Sequence, residues 1–575
     1  MKSRRTLQVA WLLATLVWAV APAPGQEVEI PEVFSETIDV RVVNVEVVVT
    51  DRQGNRVQGL KPSDFELLVD GKPTPIDYFT EIEDGLAAGA RNGDMAAVPS
   101  VDPNAPVGTN FLIFIDDVFS IERDRNRVLD RLRDDLGTLR PVDRVAVVAF
   151  DGKSAETLTG WTARSMELEE ALDRARERPT RGMKQLTARS LADTDRQLRA
   201  DVEAVHRDAS RRLSGGTGPF APEPGLRTLF SRAQHSYRQR LTNQLESSVL
   251  AAMATMRQFS GQTGRKVKLL LAGGWPRSVA IYTRAHLTEG GLPLDRRVMS
   301  EDHLYGPLVS TANLIGFSLY PVDVPGPVRN FVGDASRGLG VNAVVDPAGA
   351  SAGTLEREDN VHSTLHLLAR STGGVPLVNF RRDVALASVV ADTRSYYWLG
   401  FEPRRREDNR FHQIAVRLTG RADLDARTRE GYVDMSRGHE LDMTAKAALL
   451  FGDPPDALPL EVHFSKPVRT GLRKMSVNVE VAIPLDEIQL LPMAGEWLSV
   501  VEVRVTAMDE GGNRSDVSFE KVPIAGAQEP QPGQFFYYET DLELRRREHS
   551  YVITVHDPLT GTSLTSTGKV GPKSI

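Results

Sequence analysis

Four short apolar runs punctuate the first two-thirds of the chain: Phe111 to Ile115, Val145 to Phe150, Val267 to Ala272 and Ile315 to Val322. Longer stretches of mixed polarity separate them, among them Arg123 to Leu139. Short continuous apolar runs alternating with helix-length segments predict parallel strands covered by helices on both faces. Three of the runs end in carboxylates. The first enters Asp116-Asp117-Val118-Phe119-Ser120, the second Asp151-Gly152, and the last closes on Asp323. Ligands of open α/β sheets gather beyond the carboxyl ends of the strands. The predicted fold therefore brings Asp116, Asp117, Ser120, Asp151 and Asp323 toward one edge. Such oxygens suit a hard divalent cation such as Mg²⁺. The plainer reading is that Asp116 caps the following helix. Without a cation, converging carboxylates repel, and some must take up protons.

The pattern changes on either side of this core. Residues 41–50 alternate as a half-buried strand, Asp51 to Arg56 is turn chemistry, and Phe65 to Val69 runs into Asp70-Gly71 as a strand entering a tight hairpin. These signals predict a small β-sandwich-like module over 27–85, followed by a Gly-, Ala- and Pro-rich linker over 86–108. At the other end, Ser476 to Ile483, Leu498 to Ala507 and Tyr551 to Val555 read as strands, and Asp509 to Arg514 repeats the earlier turn chemistry. A C-terminal β-sandwich over 440–575 is expected. The middle domain, 109–434, carries a helical insertion over about 179–262. There Leu226, Phe230, Ala233, Tyr237, Leu241, Leu245 and Val249 form one apolar stripe. The stripe fits a helical hairpin laid on the sheet's flank or an arm offered to a partner. A long Gly- and Ala-rich loop, Pro325 to Asp359, shares the edge with Asp323.

Composition narrows the setting. At 575 residues the chain needs several cores. A net charge of −7, with only short basic runs such as Arg404-Arg405-Arg406 and Arg545-Arg546-Arg547, argues against a nucleic-acid surface. The first 26 residues show a basic start, an apolar run from Leu7 to Ala21 and small residues after it, the pattern of a secretory signal peptide. No later stretch is long and apolar enough to span a bilayer. The expected location is therefore periplasmic or extracellular. Absence of cysteine rules out disulfides, a thiol nucleophile and an acylated-cysteine anchor.

The order of motifs resembles the von Willebrand factor type A (VWA) fold, specifically a bacterial, acidobacterial-type VWFA-related family. The residues that carry the resemblance are Gly54-Asn55-Arg56-Val57, Leu60 to Glu66, Asp70-Gly71-Lys72, Gly264-Arg265-Lys266, Tyr320-Pro321-Val322-Asp323, Ser395 to Phe401, Phe411-His412 and Arg429 to Tyr432. It spans roughly residues 38–434 and implies a doubly wound, mainly parallel sheet with a metal ion-dependent adhesion site. That site reads Asp-x-Ser-x-Ser, then a Thr from a later loop and an Asp after the fourth strand. Asp116 and Ser120 match the first and third positions, whereas Val118 replaces the middle Ser. Thr180 is the candidate loop Thr, and Gly273-Gly274 stands where the distal Asp is expected. Asp117, Asp151 and Asp323 are the oxygens available to substitute.

Enzyme signatures are weak. His362 and His366 have the i, i+4 spacing of zinc ligands, but no Glu lies between them as general base. Neither a phosphate-cradling Gly-rich loop nor a nucleophile elbow is present. The expectation is an exported, non-enzymatic binding protein that recognises a protein or surface polymer through a degenerate adhesion site. The alternative is a structural or assembly protein of the cell envelope with a vestigial, metal-free site.

Overall fold

In the computed structural model, residues 42–87, 106–185, 224–277, 279, 301–324, 361–378, 385–403, 407–452, 457–493, 495–510, 512–515 and 517–572 are described. The expected signal peptide, most of the linker, the first insertion helix and the loop 325–359 lie outside them.

The chain begins as half of a β-structure. Strands β1 (Val43–Asp51), β2 (Phe65–Val69) and β3 (Tyr78–Glu83) bury alternate residues, but β1 and β3 do not pair with each other. The missing strands come more than 300 residues later. Between the halves sits an α/β unit.

That unit is built on β4 (Thr109–Asp116), β5 (Arg144–Phe150), β6 (Ala155–Thr162), β7 (Arg265–Ala272) and β8 (Phe317–Asp323). Their order across the sheet is β8-β7-β4-β5-β6. The first four are parallel, and β6 runs antiparallel at the edge. The four apolar runs are thus neighbours in one sheet, and their carboxyl ends share one edge. Leu377 adds a single parallel bridge outside β8 at Val322.

Helices cover both faces because alternate residues of each strand point each way. Phe111, Ile113, Ile115 and Val147 bury against α1 (Glu122–Asp134) and α2 (Ser165–Glu177). Leu112, Phe114, Val148 and Leu270 face α3 (Pro224–Gln258) and α4 (Glu301–Ile315). A further helix, α5, spans 361–371, and α6 (Ala385–Thr393) leads out of the unit.

The returning strands are β9 (Tyr396–Phe401), β10 (Phe411–Leu418), β11 (Leu424–Arg427) and β12 (Gly431–Val433). β9 inserts between β1 and β3, while β11 flanks β1. β10 joins β2 to β12 in the second sheet. Val45, Val47, Phe65, Leu67, Tyr397, Leu399 and Ile414 form the core between the two sheets. The division drawn from sequence, with 27–85 as one module and 109–434 as the next, therefore differs from the sheet pairing. Residues 396–433 belong with the first module, and the α/β unit is inserted into it.

Helix α7 (Arg437–Phe451) follows, capped by Ser436, whose Oγ accepts from His439 N at 3.4 Å, and ended by Gly452 at φ +86°. No helix is expected there from the strand-like sequence reading of 440–575. Beyond it, β13 (Lys474–Pro484) and β16 (Phe535–Arg545) pair in one sheet. β14 (Glu496–Asp509), β15 (Ser518–Gly526), β17 (His549–His556) and β18 (Ser563–Val570) make the other. Val477, Val479, Val481, Val503, Ile553 and Val555 fill the space between them. Met443, Leu449, Met508 and Val552 join the α/β core, so α7 binds the C-terminal sheets to it.

Among the described residues, no helix is long and apolar enough to cross a membrane.

Candidate functional site

At the carboxyl edge, the strand registers set Asp323, Ala272, Asp116 and Phe150 in one row. Asp116 and Asp323 are thus two strands apart, about 10 Å at roughly 4.8 Å per strand. Each has its own partner.

Asp116 is fully buried. Its Oδ2 accepts from Trp275 Nε1 at 2.7 Å, and its Oδ1 from Val118 N at 2.8 Å. The chain reaches this position through Gly274, whose φ of +108° turns the loop after β7 back over the sheet. Trp275 stacks on Tyr305, with ring centroids 6.1 Å apart, and Tyr305 Oη donates to Pro276 O at 2.6 Å. An indole N–H therefore occupies Oδ2 of Asp116. Burial pushes the Asp116 carboxyl up to about 6, against the hydrogen bonds from Trp275 and Val118.

Asp117 points into a second buried cluster. Arg125 Nη1 donates to its Oδ1 at 2.6 Å and Arg178 Nε to its Oδ2 at 2.8 Å. Arg125, itself fully buried, also donates to the carbonyls of Arg176 and Arg178. Burial holds the Asp117 carboxyl above its ordinary range, with both guanidinium groups opposing. The cluster ties α1 to the segment after α2. That segment lies along 117–120: Arg181 N donates to Asp117 O at 2.8 Å and Gly182 N to Ser120 O at 3.1 Å. A Cβ on Gly182 would sit 2.3 Å from Ser120 O, so this approach requires glycine.

The loop bearing Thr180 is thereby brought to the Asp116–Ser120 turn. Thr180 is half-buried, and Ser120 Oγ is fully buried with no hydrogen-bond partner. Asp151 is turned to its own hairpin, accepting from Lys153 N and Ser154 N at 2.8 and 2.9 Å. Asp323 pairs with His362, Nε2 to Oδ2 at 3.5 Å, while His366 is exposed on the same helix. The residues expected at one sheet edge therefore do not share one set of partners. The backbone after Thr180 runs beside Asp117 and Ser120, while Asp117 is held by Arg125 and Arg178, Asp151 by its own hairpin and Asp323 by His362. Sequence reasoning missed Trp275, Arg125 and Arg178. Only Trp275, directly after Gly273-Gly274 at a strand's end, carried a positional signal.

A different group gathers side chains of metal-ligand type. Ligand atoms of Asp408, His412 and Asp434 lie within 4.8 Å of one another, and among the described residues no other His, Cys, Asp or Glu trio does so. His412 Nδ1 is 2.8 Å from Asp70 Oδ2, its Nε2 is 3.4 Å from Asp408 Oδ1, and its ring stacks on Tyr432 at 5.2 Å. Sequence reading singled out Asp70 and His412 only as motif residues.

No family model matches the chain, and no curated protein matches it. Solved structures give faint likenesses. A Bacteroides uniformis β-glucuronidase, and β-glucuronidase 2 of Bacteroides uniformis bound covalently to cyclophellitol-6-carboxylate aziridine, align at 10% and 11% identity over 31% of this chain, with TM-scores of 0.15 and 0.14. The chain spans only 19% of the length of each. The pilus adhesin SpaC from Lactobacillus rhamnosus GG aligns at 9% identity over 89% of this chain and 61% of the adhesin, with a TM-score of 0.25. At these scores the likenesses carry no argument about fold or function.

Proposed function

We propose that this chain is an exported, non-enzymatic binding protein whose VWA-type α/β domain recognises a protein or surface polymer without a cation at Asp116. The fold reading is supported by the strand order β8-β7-β4-β5-β6 with its antiparallel edge strand, and by the motif order along the sequence. The observation that carries the metal-independent reading is the seal over Asp116: both oxygens are held by N–H donors, one from Trp275, and neither residue is exposed. A cation there would have to expel a buried, stacked indole.

The test compares the mature protein with Asp116→Ala, both confirmed folded by circular dichroism, in pull-downs from envelope extracts and on arrays of cell-surface polymers. Retention of the same partner by both proteins supports recognition without a cation at this position. Binding that needs Mg²⁺ and disappears only in Asp116→Ala reinstates the adhesion site. No specific partner in either assay favours the assembly role.

A further inference from the structure

We propose that Asp408, His412 and Asp434 form a divalent transition-metal site, best suited to Zn²⁺ or Mn²⁺, that clamps the junction between the first β-sandwich and helix α7. The ligand set is one imidazole and two carboxylates. Imidazole suits Zn²⁺, and carboxylates suit Mn²⁺ as well. Three protein ligands leave at least one coordination position open to water or a partner's carboxylate.

The neighbours orient the ligands. Asp70, at φ +51° on the β2 hairpin, faces His412 Nδ1 at 2.8 Å and is itself fixed by Gln413 N, which donates to its Oδ1 at 2.9 Å. A carboxylate on Nδ1 selects the tautomer that leaves Nε2 as the ligand atom, an arrangement characteristic of metal-bound histidine. Stacking on Tyr432 fixes the ring plane. Asp408 Oδ1 accepts from Arg410 N at 2.9 Å, and Asp434 Oδ2 from Glu407 N at 2.9 Å. Glu407 and Asn409 both take left-handed backbone, at φ +49° and +56°, so that this tight loop wraps Asp434. Such conformations in non-glycine residues concentrate at functional sites. Metal bonds of about 2.0–2.2 Å hold ligand atoms roughly 3 to 4 Å apart, so modest side-chain rotation closes the set.

The location gives the site a consequence. Asn409 N donates to Asp434 O at 2.9 Å, and Asn409 Oδ1 accepts from Ser436 N at 2.8 Å. Ser436 is the N-cap of α7. A cation here draws the loop, the end of β12 and the start of α7 together.

The experiment uses the mature full chain without a histidine tag, stripped with EDTA and titrated with Zn²⁺, Mn²⁺ and Mg²⁺ by isothermal calorimetry and thermal melting. Saturable 1:1 binding of Zn²⁺ or Mn²⁺ with a raised melting temperature is expected. Asp408→Asn, which keeps an acceptor for Arg410 N, and His412→Gln should each abolish it. Asp70→Asn should weaken it about 10- to 100-fold. Each variant is checked for folding by its unliganded melt. If a variant fails that check, Co²⁺ absorption of the wild-type protein decides: bands of a mixed nitrogen–oxygen site support the proposal. Absence of saturable binding, or full binding retained in the folded Asp408→Asn and His412→Gln proteins, overturns it. In that case His412 merely bridges Asp70 and Asp408 as an ion pair.

Discussion

Asp116 shows how a residue type suited to a metal becomes part of a core. Its carboxyl is pushed up to about 6 because burial outweighs the hydrogen bonds it accepts. Between the ordinary 3.8 and 6 the folded protein holds a proton that the unfolded chain has released. This group's contribution to stability therefore declines as pH rises through that window and is level above it. The two-unit shift corresponds to about 3 kcal/mol. Asp116→Asn should consequently gain about that much relative to wild type between pH 4 and pH 7, read from urea titrations at each pH. A pH-independent difference between the two proteins would count against a buried, protonating carboxyl. Trp275→Phe keeps the stacking surface but removes the N–H, leaving Asp116 Oδ2 without its donor. A loss of about 1–3 kcal/mol is expected in the same denaturation assay. Asp116 and Ser120 were recognisable in the sequence because strand ends are. Their closure was not, since it depends on an indole 159 residues away.

At the scale of elements, α3 resolves the choice between flank and arm for its described part. Tyr237, Leu241, Leu245 and Val249 are buried in the core that faces the sheet, α4 and α7. The side chains of Leu226, Phe230 and Ala233 lie outside the described residues. Leu245→Ala should cost about 2–5 kcal/mol by calorimetry, as expected for a fully buried leucine. A change under about 0.5 kcal/mol would show the helix to be loosely docked. Helix α7 escaped sequence reading because Leu441, Met443, Ala445, Ala448, Leu449 and Leu450 leave no single apolar stripe to detect. It is buried on more than one side, between α3 and the C-terminal sheets. Helix α6 is fastened differently. Its Asp392 accepts from Arg427 Nη2 with both oxygens at 2.7 Å, from Tyr320 Oη at 2.6 Å and from Arg56. Despite burial, Arg427, Tyr320 and the other guanidinium groups nearby lower its carboxyl from 3.8 to about 2. This contribution is fully present above about pH 4 and is lost as pH falls through 2. The stability gap between wild type and Asp392→Asn should therefore narrow by about 2 kcal/mol between pH 5 and pH 2.

Across the whole molecule, the four parallel strands of the α/β unit were legible one by one, because each is a continuous apolar run, whereas the exposed edge strand β6 was not. The first sandwich was not, because its halves are separated in sequence and no local pattern records which distant strand pairs with which. The inserted unit leaves and returns beside itself: Ile82 of β3 pairs with Tyr396 of β9. The two bodies are joined there by a buried charge. Arg265 at the start of β7 is 1% exposed and lies 3.0 Å from Glu46 on β1. Its guanidinium sits over Tyr396 at 4.3 Å and donates to Thr393 O at 3.2 Å, and Ser318 Oγ donates to Glu46 at 3.3 Å. Arginine and glutamate so deeply placed are each costly without the other. Glu46→Gln should destabilise the protein by about 3–5 kcal/mol, because it removes the carboxylate nearest a fully buried guanidinium between sandwich and sheet. The double variant Glu46→Leu/Arg265→Met replaces the pair with apolar groups of similar length and should recover most of that loss. A double-mutant cycle in guanidinium chloride measures both effects. If the bodies depend on this contact, Glu46→Gln should also split the single unfolding transition into two, with the sandwich losing structure before the α/β unit. Additive single substitutions and an unchanged transition would mean that the apolar contacts of Val48, Ile82, Tyr396 and Trp398 hold the insertion in place by themselves.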